Sequence, residues 1–153
     1  MTTWKSSPFF LIIFLTFAFP ALAEQVCNVH AGDTFKLCTG QSIRLYGIID
    51  APEKDEPFYW ESRRALAALL QGGQGLKVTG CHTDSTGKRQ ACEVFADGQD
   101  IQANMVLQGI AWDWPKYSKG QYAQQESVAK TSKIGLWADE KATAIHWEKR
   151  SRD

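Results

Sequence analysis

Four cysteines in two equally spaced pairs place the strongest constraint on how this chain folds. Cys27 and Cys38 are separated by the same number of residues as Cys81 and Cys92. If each pair lies directly opposed across two antiparallel strands, the turns fall on a Gly-Asp and a Thr-Gly step, which favour turns. Opposed strand residues lie close enough for a disulfide. The spacing therefore predicts two disulfide-bonded hairpins. A four-thiolate zinc site is the alternative, but the chain has no short Cys-x-x-Cys pair.

The first 23 residues have the pattern of a secretory signal. An apolar run over 9–19 follows a basic residue, and Ala21 and Ala23 give the small-x-small pattern that signal peptidases accept. The run is shorter than the ~20 apolar residues that span a bilayer, although an uncleaved anchor is the alternative. Cleavage after Ala23 predicts export of 24–153 to the periplasm or the medium, where cysteines are oxidised. No stable membrane association is expected after cleavage.

Periodicity and composition predict a single domain that is α+β and mainly β. With 44% hydrophobic residues and 17 basic against 17 acidic residues, the chain is neither disordered nor basic enough to indicate nucleic acid by charge alone. Alternating apolar residues predict strands at 26–31, 34–38, 42–48, 76–82 and 89–96. Helices are predicted at 58–71, 100–108 and 119–133. This order indicates a small closed five-stranded barrel with about three helices packed outside. The polar tail, 138–153, is expected to be loosely ordered.

Charged residues suited to phosphate chemistry fall where these strands end. They are Asp33 in the first turn, Arg44 on the third strand, Asp50 and Glu53 after it, and Lys88 and Arg89 after the second turn. Carboxylates such as Asp33 and Asp50 suit Ca²⁺ or Mg²⁺. A carboxylate such as Glu53 could orient or deprotonate a water, and cations would stabilise charge developing on a phosphate. The set indicates phosphodiester hydrolysis.

Seven short motifs also resemble the thermonuclease family, the staphylococcal-nuclease-like domain, in their order and spacing. They are Gly32-Asp33-Thr34, Ile43-Arg44-Leu45, Gly47, Asp50-Ala51-Pro52-Glu53, Gly87-Lys88, Gly109-Ile110-Ala111-Trp112 and Gly135-Leu136-Trp137. The resemblance implies an OB-fold barrel over 24–137 and a calcium-dependent nuclease acting on DNA and RNA. It also implies the following roles: metal binding by Asp33, Asp50 and the Ala51 carbonyl, general base for Glu53, and phosphate contact for Arg44 and Lys88.

Three departures from the family pattern bear on activity. Ala31 replaces an acid of the first motif, which removes negative charge near the metal. Lys88 stands where the family has arginine, and so loses the planar fork that suits a phosphate. Arg44 precedes Asp50 by six steps instead of five, and one extra residue would turn a strand side chain to the other face. A β-bulge near 47–49 is expected to absorb it.

Further residues are candidates for nucleic-acid contact. Trp114 and Tyr117 could stack bases, and Arg89 could meet phosphate, although a solvated hairpin tip is its simpler interpretation. Arg63 and Arg64 are interpreted as the solvent face of a helix. The favoured hypothesis is an exported, monomeric, metal-dependent endonuclease. The alternative is a catalytically impaired OB-fold that binds nucleic acid or a protein partner without cutting.

Overall fold

All five predicted strands and all three predicted helices are present in the fold. The computed structural model describes residues 24–49, 57–71, 75–83, 87 and 89–151. The strands are β1 (Val26–Val29), β2 (Thr34–Leu37), β3 (Ser42–Leu45), β4 (Ile48–Ile49), β5 (Lys77–Thr83), β6 (Gln90–Ala96), β7 (Gln99–Asp100) and β8 (Trp112–Asp113). The helices are α1 (Tyr59–Gln71), α2 (Ile101–Leu107), α3 (Pro115–Ser118), α4 (Ala123–Thr131) and α5 (Glu140–Ser151), with a 3₁₀ turn at Gly135–Ala138. No helix in these described ranges is both long and apolar enough to cross a membrane.

The main sheet has the strand order β1-β2-β3-β6-β5, with β7 paired to β6. Strands β3 and β6 run parallel, and the other neighbours are antiparallel. The prediction of a closed barrel is wrong for the residues that the structure describes, because no ladder joins β5 back to β1. Closure requires hydrogen bonds between the outer strands. Instead, Arg63 of α1 donates a 2.8 Å hydrogen bond to the carbonyl of Val29, so a helix covers this edge.

Both predicted disulfides are present, Cys27–Cys38 and Cys81–Cys92, with Cα atoms 4.9 and 4.1 Å apart. No cysteine is free, which excludes the zinc alternative. The pairings are as predicted. The first hairpin, however, is centred on Gly32, whereas the prediction centred it between Gly32 and Asp33. In each hairpin the strand register also shifts next to the first cysteine, as it does where a bulge displaces a strand locally.

The core lies between one face of the sheet and the helices α1 and α2. Alternate residues of the strands point into it, as a period of two requires. Fully buried members from strands and helices include Phe35, Ile43, Leu45, Cys92, Val94, Leu66 and Met105. A second cluster forms around Trp112, Leu136 and Trp137.

The predicted third strand, 42–48, is divided in two by a turn at 46–47. Gly47 has a φ of +77°, and a Cβ there would meet Ser118 and Tyr122 at 3.1 and 3.3 Å. Beyond the turn, β4 leaves the main sheet and pairs with β8. A turn therefore takes the place of the expected β-bulge, because only glycine adopts this conformation at so close an approach.

The predicted helix at 119–133 is shorter in the structure, where it is α4, and a separate short helix, α3, ends just before the predicted start. Lys119 has left-handed backbone angles and donates its N–H to the carbonyl of Pro115, which ends α3. Gly120 follows with a φ of +83°. A left-handed residue and a glycine interrupt a helix, so α4 begins only at Ala123.

The expectation of a loosely ordered tail is wrong for 140–151, which forms α5. Asp139 accepts a 2.9 Å hydrogen bond from the N–H of Ala142 and so caps this helix. Ala142 is buried in the second cluster. The capping aspartate was the sequence signal for this helix, and the polar composition concealed it.

Candidate functional site

Asp33 lies at the tip of the first hairpin and is nearly completely buried, with 3% of its surface exposed. The hydroxyl of Thr34 donates to its Oδ1 at 2.7 Å, and Nε of Arg44 donates to its Oδ2 at 2.8 Å. The backbone is held as well, since Leu45 donates its N–H to the Asp33 carbonyl at 2.8 Å. A buried carboxylate needs such partners, and here they fix both of its oxygens.

Arg44 reaches Asp33 because of the register between β2 and β3. Thr34 lies directly opposite Arg44 in that ladder, so the acid that precedes Thr34 is one position from the arginine. On its other side Arg44 pairs with Ala91 of β6. The side chain of Arg44 is 25% exposed and that of Asp33 is 4% exposed. The extra residue before Asp50 therefore does not turn Arg44 away from Asp33.

Asp50, Ala51, Glu53 and Lys88 lie outside the described residues, so their assigned roles stay predictions. Within the described residues there is no group of three or more His, Cys, Asp or Glu that could hold a metal ion. Asp33 is the predicted ligand that the structure does describe. Its two carboxylate oxygens are hard donors of the kind that Ca²⁺ and Mg²⁺ prefer, so the chemistry of this residue fits such an ion.

A cleft of about 290 Å³ opens beside Arg44, and aromatic side chains line it. Trp114 and Tyr117 stand edge to face with ring centroids 4.5 Å apart. Tyr46 meets Tyr117 at 6.1 Å and His82 at 4.9 Å. The structure thus brings the two predicted base-stacking residues to the same cleft as Arg44.

Backbone pairing explains why Trp114 reaches this cleft. The N–H of Trp114 donates to the carbonyl of Gly47 at 3.0 Å, directly after the β4–β8 ladder. Pro115 then starts α3, which presents Tyr117 with 39% of its surface exposed. The turn at Gly47 therefore both ends the arginine strand and docks the aromatic segment against it.

Sequence reasoning missed three residues around this cleft. Tyr46 follows Arg44 by two positions, which is the spacing of residues on one strand face, and this was the available signal. His82 has no local signal, because its place depends on the β5–β6 register. Lys116 holds its ammonium 5.7 Å from the ring centroid of Tyr117 and adds a cation at the rim. Arg89 is exposed and directly precedes β6.

A buried tyrosine, Tyr122, packs against the turn at Gly47, beside the cleft. Burial raises the pKa of Tyr122, and the carboxylates of Asp100, Glu93 and Asp113 raise it further. Burial likewise raises the pKa of Asp100, although hydrogen bonds from the first turn of α2 oppose the rise. Tyr122 is therefore held neutral, and its ring supports Gly47 as an apolar wall.

Taken together, the site combines a buried acid, a guanidinium and an aromatic cleft. A guanidinium recognises phosphate oxygens, and aromatic faces bind planar bases. The exposed cation beside Tyr117, Lys116, favours a polyanion. The arrangement suits an anionic ligand that carries planar rings.

Comparison with known proteins gives relatives over nearly the whole chain. Residues 42–139 match the family described as staphylococcal nuclease homologue. The micrococcal nuclease of Shigella flexneri is 32% identical over an alignment of 158 residues. The alignment covers 92% of this chain and 90% of that protein. An uncharacterized endonuclease of Haemophilus influenzae is 32% identical over 136 residues, with 84% and 75% covered.

Plant proteins match a smaller share of their own length. The probable staphylococcal-like nuclease CAN3 of Oryza sativa is 35% identical over 111 residues, which cover 72% of this chain and 29% of that protein. The chain thus spans about a third of the length of these plant relatives. The matches include the strand with Arg44 and the aromatic cleft, since both lie within 42–139.

Proposed function

We propose an endonuclease function on one premise: the chain belongs to the staphylococcal nuclease family. In this proposal the protein hydrolyses phosphodiester bonds within DNA, RNA or both, and depends on a divalent cation, Ca²⁺ first and Mg²⁺ second. The observation that carries the proposal is the Asp33–Arg44 pair at 2.8 Å, placed beside an aromatic cleft. Relatives named nuclease or endonuclease support it.

Arg44 is assigned to the scissile phosphate. The hydrogen bond from its Nε to Asp33 restrains the plane of the guanidinium, so less side-chain entropy is lost when the arginine meets a phosphate. Lys88 is assigned to the same phosphate from the second hairpin, and Arg89 to a neighbouring one. Positive groups placed in advance around developing negative charge lower the barrier to phosphoryl chemistry.

Asp33, Asp50 and the carbonyl of Ala51 are the residues assigned to the cation. When bound, a divalent ion of this kind supplies charge neutralisation at the phosphate and acidifies a water. Glu53 is assigned as the base that orients the attacking water and takes its proton. Of these residues Asp33 lies in the described part of the chain, where burial and two hydrogen bonds hold its carboxylate in one place.

Trp114 and Tyr117 are assigned to a base of the bound strand. Their edge-to-face arrangement leaves an aromatic wall on the cleft that Arg44 also lines. Base stacking of this kind requires an unpaired nucleotide. Tyr46 and His82 extend the same wall.

The proposal includes export of the protein after cleavage of residues 1–23. Two disulfides support this part, because such bonds persist in oxidising compartments such as the periplasm or the extracellular medium. The exported protein is proposed to act as a monomer without stable membrane association.

The same ion pair favours a second candidate function. With Arg44 donating to Asp33, the acid also has a purely structural use, and the protein could then bind nucleic acid or a protein partner without cutting it. Lys88 and Ala31, which replace residues of the family pattern, point in the same direction.

One experiment separates the two candidates. The purified protein is incubated with circular plasmid, single-stranded DNA and RNA, in Ca²⁺, in Mg²⁺ or with a chelator. We expect metal-dependent internal cleavage that Asp33→Ala abolishes and that Glu53→Gln reduces by at least about 10²-fold. Binding of the single strand without cleavage in any metal would instead support the second candidate.

A further inference from the structure

A groove of about 370 Å³ runs between β1 and α1, outside the site described above. Its floor is apolar, formed by side chains such as Val29 and Leu70. Its rim carries Trp60, Arg63 and Arg64, and the described residues that line it include no carboxylate. A groove with an apolar floor, an exposed ring and two cations is complementary to an anionic chain that carries planar groups.

Trp60 is presented in a fixed orientation even though 51% of its surface is exposed. The ring of Tyr59 meets it edge to face with centroids 5.0 Å apart. The guanidinium carbon of Arg63 lies 5.6 Å from the Trp60 ring centroid, and its Nε donates to the Val29 carbonyl at 2.8 Å. A ring held from two sides loses little freedom when a base stacks on it.

The helix that lines the groove is hydrogen-bonded to the segment that leads into the proposed active site. The hydroxyl of Tyr59 donates a 3.2 Å hydrogen bond to the carbonyl of His30. His30 lies three positions before Asp33, between β1 and the hairpin tip. The groove then follows β1 away from that tip for about 13 Å, the length of four strand residues.

We propose that this groove binds a stretch of single-stranded nucleic acid that continues from the active site, with a base stacked on Trp60 and a phosphate bound by Arg64. This inference rests on the proposed nuclease function. Arg64 is 3.7 Å from Glu61, but both side chains are largely exposed, and such pairs yield to a competing anion at little cost. Arg64 is largely exposed, as its interpretation as part of a solvent face predicts, whereas Arg63 is partly buried and bonded to Val29.

A peptide strand added to the edge of β1 is the competing occupant. Such an addition needs the backbone carbonyls of that edge. Arg63 already occupies the carbonyl of Val29, so a peptide would have to displace it. The cations on the rim also favour a polyanion over an uncharged peptide.

The dependence of binding and cleavage on oligonucleotide length tests the groove proposal. Equilibrium binding by fluorescence anisotropy and cleavage are measured for single-stranded oligonucleotides of about 4 and about 20 nucleotides, which lie within and beyond the site size of one such fold. We expect Trp60→Ala and Arg64→Gln each to weaken binding and raise KM for the long strand at least about fivefold. Both variants should keep the native kcat and the native values for the short strand, and Trp60→Phe should restore most of the loss.

Lys141→Gln, which removes an exposed cation from α5, is the matched control and should change nothing. If Trp60→Ala and Arg64→Gln bind the long strand as the native protein does, the groove proposal is overturned while the nuclease function stands. If no substrate is cleaved in any metal, the nuclease function fails. The binding measurements then still decide on the groove, because a loss confined to the long strand supports it and an unchanged Kd rejects it.

Discussion

The two disulfide-bonded hairpins have the same covalent design and different surroundings. Each is closed by cysteines 11 positions apart. In the first hairpin the tip folds back on β3, where Asp33 is buried and bonded to Thr34 and Arg44. In the second hairpin the described residues near the tip, Gly87 and Arg89, are exposed. A disulfide fixes the stem of a hairpin, whereas tertiary contacts decide whether the tip is held.

This difference matches the roles proposed for the two tips. A metal-binding acid has to keep its oxygens in one place, and burial with two hydrogen bonds achieves this for Asp33. Cations such as Lys88 and Arg89 have to meet a substrate that arrives from solvent. The exposure of Arg89 suits this role, because a long cationic side chain acts through a field that extends beyond contact.

The largest expected effect is the loss of activity when Arg44 is removed, compared with the loss when Arg89 of the exposed tip is removed. Arg44→Ala should lower kcat/KM by about 10²- to 10³-fold, the cost of losing one preorganised donor to a developing charge. Arg89→Ala should lower it less than about tenfold, because that side chain is exposed and solvent screens it. Steady-state cleavage of single-stranded DNA measures both.

Thermal unfolding of both arginine variants is the control, since removal of Arg44 also leaves Asp33 buried without this partner. Assays are therefore run well below each midpoint. An Arg89→Ala variant that loses as much activity as Arg44→Ala would show that the exposed tip is as important as the buried one.

Removal of each disulfide in turn tests what the covalent bond contributes. The paired variants Cys27→Ala/Cys38→Ala and Cys81→Ala/Cys92→Ala should each lose about 3 kcal/mol in the free energy of unfolding, since the closed loops are equally long. Their activities should differ. The first variant should keep kcat/KM within about twofold because other contacts hold Asp33, whereas the second should lose about tenfold.

Denaturant unfolding gives the stabilities, and cleavage assays at low temperature give the activities of the folded variants. Equal activity losses in the two paired variants would contradict the view that tertiary contacts alone hold the first tip.

Two glycines with similar backbone angles separate packing from backbone strain. Gly47 and Gly87 have φ values of +77° and +70°. A Cβ at Gly47 would press on Ser118 and Tyr122, while one at Gly87 would meet no described atom within 4 Å. Both substitutions to alanine bring the left-handed strain, about 1 kcal/mol, and Gly47→Ala should cost about 1–2 kcal/mol more through overpacking.

Denaturant midpoints of the two glycine variants measure the difference in stability. Gly47→Ala should also lower cleavage, because this turn docks Trp114 beside Arg44. Equal midpoints for the two variants would mean that the wall around Gly47 relaxes at no cost.

The smallest effect concerns the ionisation of Tyr122 in that wall. Burial and nearby carboxylates raise the pKa of Tyr122 above its ordinary value of 10.0, so the folded state resists losing this proton. The stability it contributes is complete below pH 10 and is lost as pH rises through the higher, folded-state pKa. The slope for one group is at most about 1.4 kcal/mol per pH unit.

Unfolding of the native protein and of Tyr122→Phe between pH 8 and about pH 11 measures this linkage. The stability of the native protein should fall more steeply above pH 10 than that of the variant. Parallel curves would indicate that water reaches the Tyr122 hydroxyl in the folded state.

Much of the fold could be predicted because its signals are local. Apolar alternation marked each strand, and turn residues between equally spaced cysteines marked both hairpins. The left-handed residue at Lys119 was missed, because nothing local requires it. Helix α5 was missed because its composition is polar, although Asp139 carries the cap. Both misses arose where tertiary packing outweighs composition.

The candidate site was predicted in its residue types and only partly in its arrangement. Sequence motifs predicted Asp33 and Arg44 as site residues. Trp114 and Tyr117 were predicted because aromatic side chains can stack on bases. The six-step spacing to Asp50 put the direction of the Arg44 side chain in doubt, and the register between β2 and β3 shows that it faces Asp33. Tyr46 and His82 entered the cleft through contacts between strands distant in sequence, which no local pattern contains.

By itself the sequence determined the disulfide pairing, the order of strands and helices and the kinds of side chain at the site. These follow from spacing and periodicity, which act over a few residues. Three features were decided only by the tertiary structure. Helix α1 covers the edge of β1, where a closed barrel would pair that strand with another. Gly47 docks the aromatic segment beside Arg44, and Asp33 is buried. These depend on contacts between elements far apart in the chain, and the balance of burial and hydrogen bonding that selects them exists only once the elements have packed.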